Sequence, residues 1–482
     1  MPDKINFKEK GMTLVLALCF GSIFVLILSA FMGYILTQYK YSQKMAAKEQ
    51  TLHIAESGVE YYKWYLAHSL EGLSELEQAQ FWAENQTIGY PDPYIGDFKD
   101  QYGTIIGHFQ IEITPPLAGG NAVDIKSIGW TNDYPEMKRT IQTRRRKPSW
   151  GEYVILINHR AYLPEGMSVK GKAHSNEDLR VDGVIYNLAT ASDTTHQDPI
   201  TEQETEPGVW TTKQPADVFL GGIEDGVPII DFNALIGKMD IMKNLTQGTN
   251  YYLPSPEKHC WPFSWFCIIE NWNPSGYLIE LKDNSSIDIY KTKGLSIFGW
   301  FLPIFTGSGF LGNYAWPESR LIFSEATVWV KGAVGPNQIT IGAANLSGAD
   351  LPGVNNLADI IIQDDILYNN NKASVGLIAQ DSIMIDKHTG NPDLEINAAL
   401  IAKEGYVGCE DFGRQLGVLT INGSIAANYL SEFGGEYCLW LWCWAGGFES
   451  VELNYDNNLL YNPPPYFPTK EDYQTDMWQE VE

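Results

Sequence analysis

From Met12 to Leu36 the chain carries no charged residue over 25 positions. At 1.5 Å per residue that run makes about 37 Å of helix, enough to cross the hydrocarbon core of a bilayer. Lys4, Lys8 and Lys10 precede it, which favours a cytoplasmic N-terminus and a chain body on the far side of the membrane. The run is longer than the apolar part of a secretory signal, and Tyr39-Lys40-Tyr41 follows it in place of a small-residue cleavage site. Helical periodicity continues beyond it. Leu52, Ala55, Val59, Tyr62 and Leu66 fall on one stripe, with Lys44, Lys48, Glu56, Glu60 and Lys63 elsewhere. The pattern predicts one helix from about Met12 to about His68, lipid-soluble in its first half and docked on a soluble domain in its second.

A change of period follows. Phe109, Ile111 and Ile113 alternate with His108, Gln110 and Glu112, as a half-buried strand does. Val123, Ile125 and Ile128 with Gly129 read as a second strand, and Lys138 to Arg145 as a third, separated by Pro115–Gly120 and by Asn132-Asp133-Tyr134-Pro135. Residues 37–150 therefore read as a body of helix plus three-stranded meander, with 69–102 as a connection.

The N-terminal motifs resemble those of type IV pilins. Lys10-Gly11-Met12-Thr13-Leu14-Val15 looks like the class III signal, and Ala55-Glu56-Ser57-Gly58 looks like the element closing the N-terminal segment of PilX-like minor pilins. The resemblance implies a leader at 1–11, cleavage by prepilin peptidase between Gly11 and Met12, N-methylation of Met12, and a pilin body over 37–150. It also implies partners: other pilins of the filament, an inner-membrane assembly platform, and the membrane itself through 12–36. One departure matters. Leu16, the fifth residue after the cut, stands where major pilins carry a Glu that neutralises the neighbouring subunit's amine. A carboxylate in an apolar helix bundle is costly without a partner charge. Its absence disfavours a shaft subunit and favours a minor or tip position.

Beyond residue 150 short apolar strands recur between Gly, Asn and Asp: Val328-Trp329-Val330, Ile339-Thr340-Ile341, Ile360-Ile361-Ile362, Ile383-Met384-Ile385, Leu394-Glu395-Ile396 and Leu419-Thr420-Ile421. Strands this short are stabilised by stacking coil on coil. We read 151–450 as a β-solenoid, right-handed β-helix-like, similar to the β-helical regions of some PilX-like proteins, with a sandwich or jelly roll as the alternative. An aromatic-rich insertion covers about 190–318, including Trp261, Trp265, Trp272, Trp300 and Trp316, and 451–482 forms a tail. The fold class is thus α+β followed by all-β.

Charge separates the two parts. Residues 1–150 hold 15 Lys+Arg against 16 Asp+Glu, while 151–482 hold 18 against 43, a net −25. Such a surface repels phosphate backbones, so nucleic acid is disfavoured as a partner, and the basic run Arg144-Arg145-Arg146-Lys147 reads as a solvated domain boundary. Acidic loops suit Ca²⁺. Asp350, Asp359, Asp364 and Asp365 are the weak candidates, with solvated turns the favoured explanation; no other cofactor is expected. Cys260 and Cys267 bracket six residues and are the disulfide candidate in an oxidising compartment. No hydrolase, metalloprotease or P-loop motif occurs, and His174-Ser175 are neighbours in a strand pattern and so point to opposite faces. The chain reads as non-enzymatic: a minor or tip pilin-like subunit of a type IV pilus or related filament, serving pilus assembly and surface adhesion. The alternatives are a tip receptor for a glycan, a host surface or DNA, and a membrane-anchored surface protein outside any filament. Its expected location is a single-pass membrane state first, then the outside of the cell on a pilus or the surface.

Overall fold

The computed structural model describes residues 7–73, 75–84, 87–116, 121–198, 201–232, 235–255, 274–293, 296–297, 300–301, 308–348, 357–386, 390–409, 414–431, 433–439, 442–469 and 473–481. Cys260, Cys267 and Asp350 lie outside them, as do Trp261, Trp265 and Trp272.

The first element is a single helix, α1, Phe7–Leu70, of 64 residues. At 1.5 Å per residue it is about 96 Å long. From Met12 to Met45 its large apolar side chains are exposed. From Ala47 onward it packs on an antiparallel sheet. Ile54, Ala55, Val59, Tyr62 and Leu66 are buried against Phe109, Ile111, Ile113, Val123, Ile125 and Ile141.

That sheet has five strands, not three. β1 (Tyr94–Lys99), β2 (Ile105–Thr114), β3 (Ala122–Thr131) and β4 (Lys138–Arg146) form a meander. The fifth strand comes from the far end of the chain: Gln474–Val481 pairs antiparallel with β4, setting Gln474 opposite Arg146. Residues 451–482 are therefore not a free tail. Everything between β4 and this last strand is inserted into the helix–sheet body.

The inserted domain is a stack of parallel strands in three faces, and its order differs from chain order. On one face Ile322, Ile341, Leu377, Leu400 and Ile425 align rung by rung. Ile425 then pairs with Ile155, which leads on to Ala173 and Ala189. All eight side chains are buried. A second row runs through Ile366, Ile396, Ile421, Leu453, Val169 and Ile185. The first block in sequence thus extends the last block in space. Coils of three or four residues per face bury apolar side chains only against the coils above and below, which is why the rows are continuous. Amides repeat in register too: Asn454 donates to Asn422 at 2.9 Å and Asn422 to Asn397 at 2.8 Å.

The stretch read as an insertion over 190–318 divides into parts. Ala189–Ala191 and Ile223–Glu224 continue the stack. The chain then turns back along its outside. There Phe232, Met239 and Met242 cover outward-facing Leu156, Phe323, Ile378 and Ile401. Pro274–Leu281 pairs parallel with Thr327–Val334, and Ser286–Lys293 and Ser308–Ala315 add antiparallel strands at that end.

His174 is buried in the first block. Its Nδ1 lies 2.9 Å from Thr190 Oγ1 and its Nε2 3.0 Å from Asn176 Oδ1. Burial, partly offset by the Asn176 bond, lowers the pKa of the ring. The unfolded chain then binds the proton more readily than the folded one, so this contribution is present above about pH 6.5 and is lost as pH falls below it. We expect the melting temperature to fall between pH 7.5 and 5, and His174→Gln to flatten that slope. A variant slope equal to the native one refutes the assignment.

Candidate membrane and assembly site

The surface with the clearest chemical demand is the first half of α1. Met12, Leu16, Phe20, Phe24, Ile27 and Phe31 are all exposed, and the span from Met12 is long and apolar enough to cross a membrane. Gly11, Met12 and Leu16 lie inside the helix, so the residues of the proposed cut continue its axis. Leu16 is 53% exposed and carries no charge into this surface. Water cannot satisfy so much contiguous apolar area; lipid or the helices of neighbouring subunits can.

The second half of α1 holds the soluble part, and the Ala-Glu-Ser-Gly element is where the two surfaces come closest. Ala55 is fully buried beside Gly129 of β3. A methyl group built on Gly129 would lie 2.4 Å from the Thr51 carbonyl oxygen and 2.5 Å from the Ala55 nitrogen. One built on Gly58 would lie 2.3 Å from Ser127 Oγ and 3.2 Å from Phe109 Cβ. Small residues on both sides let the helix backbone touch the sheet, while Glu56 and Ser57 face away from this seam. Tyr62 closes the lower end through its hydroxyl, 2.8 Å from Thr87 Oγ1, and burial raises its pKa.

The basic run is absorbed by the fold. Arg144 makes a two-point contact with Asp124 at 2.7 and 3.1 Å. Arg145 donates to Thr475 Oγ1 at 2.8 Å and to the Tyr473 carbonyl. Arg146 pairs with Asp476 at 3.2 Å, and both side chains are largely covered. Lys147 donates to Gln78 at 3.0 Å and sits over the Tyr473 ring. These cations fasten the C-terminal strand and β3 instead of forming a solvated boundary. For Arg145 and Arg146 the sequence held no local sign of this, because their partners Thr475 and Asp476 lie 330 positions away.

Of the acidic candidates that are described, Asp359 and Asp365 act between coils, and Asp364 bonds its own neighbour. Asp359 Oδ1 accepts from Ser382 N at 3.0 Å, Asp364 Oδ1 from Asp365 N at 2.9 Å, and Asp365 Oδ1 from Glu395 N at 2.8 Å. Among the described residues no cluster of three or more His, Cys, Asp or Glu side chains is arranged to hold a metal. Ser175 Oγ donates to the His159 carbonyl, away from the partners of His174.

No protein-family model matches the chain, and no curated protein matches it. Among solved structures it is similar to the competence-associated pilin ComZ from Thermus thermophilus, at 14% identity and a TM-score of 0.31, over 90% of this chain and 97% of that one.

Proposed function

We propose that the chain is a non-enzymatic, pilin-like minor subunit that sits at the end of a type IV pilus or related filament and serves its assembly. One observation supports this above the others: a single unbroken helix offers an exposed apolar half beyond a half docked on a small antiparallel sheet. That arrangement lets one element serve first as membrane anchor and then as the part packed among neighbouring subunits. The resemblance of the Lys10-Gly11-Met12 segment to a class III signal adds prepilin peptidase, and through it the assembly platform, as partners. The end position follows from two features. Leu16 supplies no carboxylate for a subunit above it, and the domain inserted between β4 and the last strand would crowd a helical shaft.

The mature N-terminus tests this reading. Mass spectrometry of the protein from its host membranes is expected to find Met12 first and methylated. Gly11→Leu should leave the chain uncut. A mature chain that still begins at Met1 would sink the filament reading and leave a membrane-anchored surface protein. Ca²⁺ remains a separate proposal for the acidic residues Asp350, Asp359, Asp364 and Asp365: added Ca²⁺ would raise the melting temperature by ligand linkage, and a melt unchanged between Ca²⁺ and chelator removes it.

A further inference from the structure

A row of planar side chains stands out on the third face of the stack. Tyr162 pairs in register with Arg180, and Arg180 with Trp210, on three parallel strands from adjacent coils. Their neighbours Ala161, Leu163, Leu179, Val181 and Val209 point inward and are buried, so these three point outward. The Arg180 guanidinium lies 4.5 Å from the Tyr162 ring centre and 5.2 Å from that of Trp210. His196 stacks on Trp210 at 4.2 Å, with the ring planes 13° apart.

Two buried carboxylates hold this row in place. Asp178 accepts from Trp210 Nε1 at 3.2 Å and from Arg160 Nε at 2.5 Å. Asp182 accepts from Arg180 at 2.6 and 3.0 Å and from Thr212. Burying carboxylates costs free energy, and here they fix the rotamers of residues that face solvent. Beside the row opens a cleft of about 430 Å³, whose lining also includes Gln197, Asp198 and Glu202. Tyr162 is 38% exposed and the Arg160 side chain 56%.

We propose that this cleft binds a neutral saccharide. Each sugar hydroxyl both donates and accepts, so it matches a small space holding guanidiniums, carboxylates and an amide together, with aromatic rings for its C–H faces. An apolar ligand would strip water from those groups and offer no hydrogen bond in its place. A phosphate-rich ligand would meet Asp178, Asp198 and Glu202 against two arginines already engaged by Asp178 and Asp182. The volume lies within the range of small-ligand sites and suits a mono- or disaccharide unit. Rigid stacked walls leave little side-chain freedom to lose on binding. The inference goes beyond the filament reading and does not rest on it, since binding is read on the isolated chain and filament entry on the mature N-terminus.

The test uses the full chain in a detergent without a sugar headgroup. It is screened on an array of neutral oligosaccharides ending in glucose, galactose, mannose or N-acetylhexosamines, and hits are titrated by calorimetry. At least one saccharide is expected to bind one-to-one. Tyr162→Ala and Gln197→Ala, at two exposed positions of the lining, are each expected to weaken it at least tenfold with the melting temperature unchanged. No binding by the native chain at millimolar sugar overturns the proposal. So does equal binding by both variants, or tighter binding of oligolysine or DNA than of every sugar.

Discussion

Gly129→Val is expected to lift α1 off the sheet and unfold the helix–sheet body well below the native melting temperature. The added Cβ would sit 2.4 Å from the Thr51 carbonyl oxygen and 2.5 Å from the Ala55 nitrogen. Both are backbone atoms of α1, so no side-chain rotation relieves the clash and the helix must translate. Ile54, Ala55, Val59 and Tyr62, all buried in this seam, then lose contact together. Overpacking a core commonly costs 1–3 kcal/mol, and a clash with backbone on both sides belongs at the upper end, about 3 kcal/mol. Gly58→Val meets Ser127 Oγ and Phe109 and is expected to act in the same direction. Gly21→Val is the control, since nothing lies within 4 Å of its added Cβ. Thermal melts of the full chain in detergent, read with limited proteolysis between residues 85 and 105, distinguish these. A Gly129→Val chain that melts like the native protein would show that the helix does not dock by this seam.

The docking stripe of α1 was readable because a helix repeats every 3.6 residues, and Ala55, Val59, Tyr62 and Leu66 mark that period without interruption. β2, β3 and β4 were readable from alternation and from the turns between them. Ser127 was missed on β3: it is small and polar, yet it faces the helix, while Ile128 lies on the other face. β1 was missed because Tyr94–Lys99 is an edge strand whose pattern is broken by Gly96, the residue that makes room for the Phe109 ring. In the inserted domain the apolar triplets were visible, but their order was not. A three-residue strand carries almost no register information, and the pairing of Ile425 with Ile155 joins positions 270 apart in sequence. The Tyr162–Arg180–Trp210 row was hidden for the same reason: spacings of 18 and 30 residues mean nothing until coils are stacked.

Removing residues 473–482 is expected to destabilise the body by about 3 kcal/mol or more, although the segment is short and mostly exposed. Its loss leaves β4 unpaired along its outer edge. Its loss also strips the acceptor Glu480 from Arg139, the acceptors Thr475 and the Tyr473 carbonyl from Arg145, and the ion-pair partner Asp476 from Arg146. Leaving a covered charge without its partner costs 3–5 kcal/mol when burial is complete; Arg146 and Asp476, each with 11% of the side chain exposed, come close to that case. β4 ends at Arg146 and the last strand begins at Gln474, directly opposite, so both connections to the inserted domain leave from one end of this strand pair. Ser149 and Thr469 bridge just beyond it, and Trp150 N donates to the Pro468 carbonyl at 3.1 Å. A pull on the inserted domain would open the pair as a fork, and Arg145 and Arg146 stand where the fork begins. A double-mutant cycle of Arg146→Met and Asp476→Ala isolates the pair within the strand. Each single change is expected to lower the body's melting temperature, and the double change to lower it by clearly less than their sum, because the second removal no longer strands a charge. Strictly additive effects would show that the pair contributes nothing of its own, and an unaltered melt after truncation would show that the body closes without its last strand.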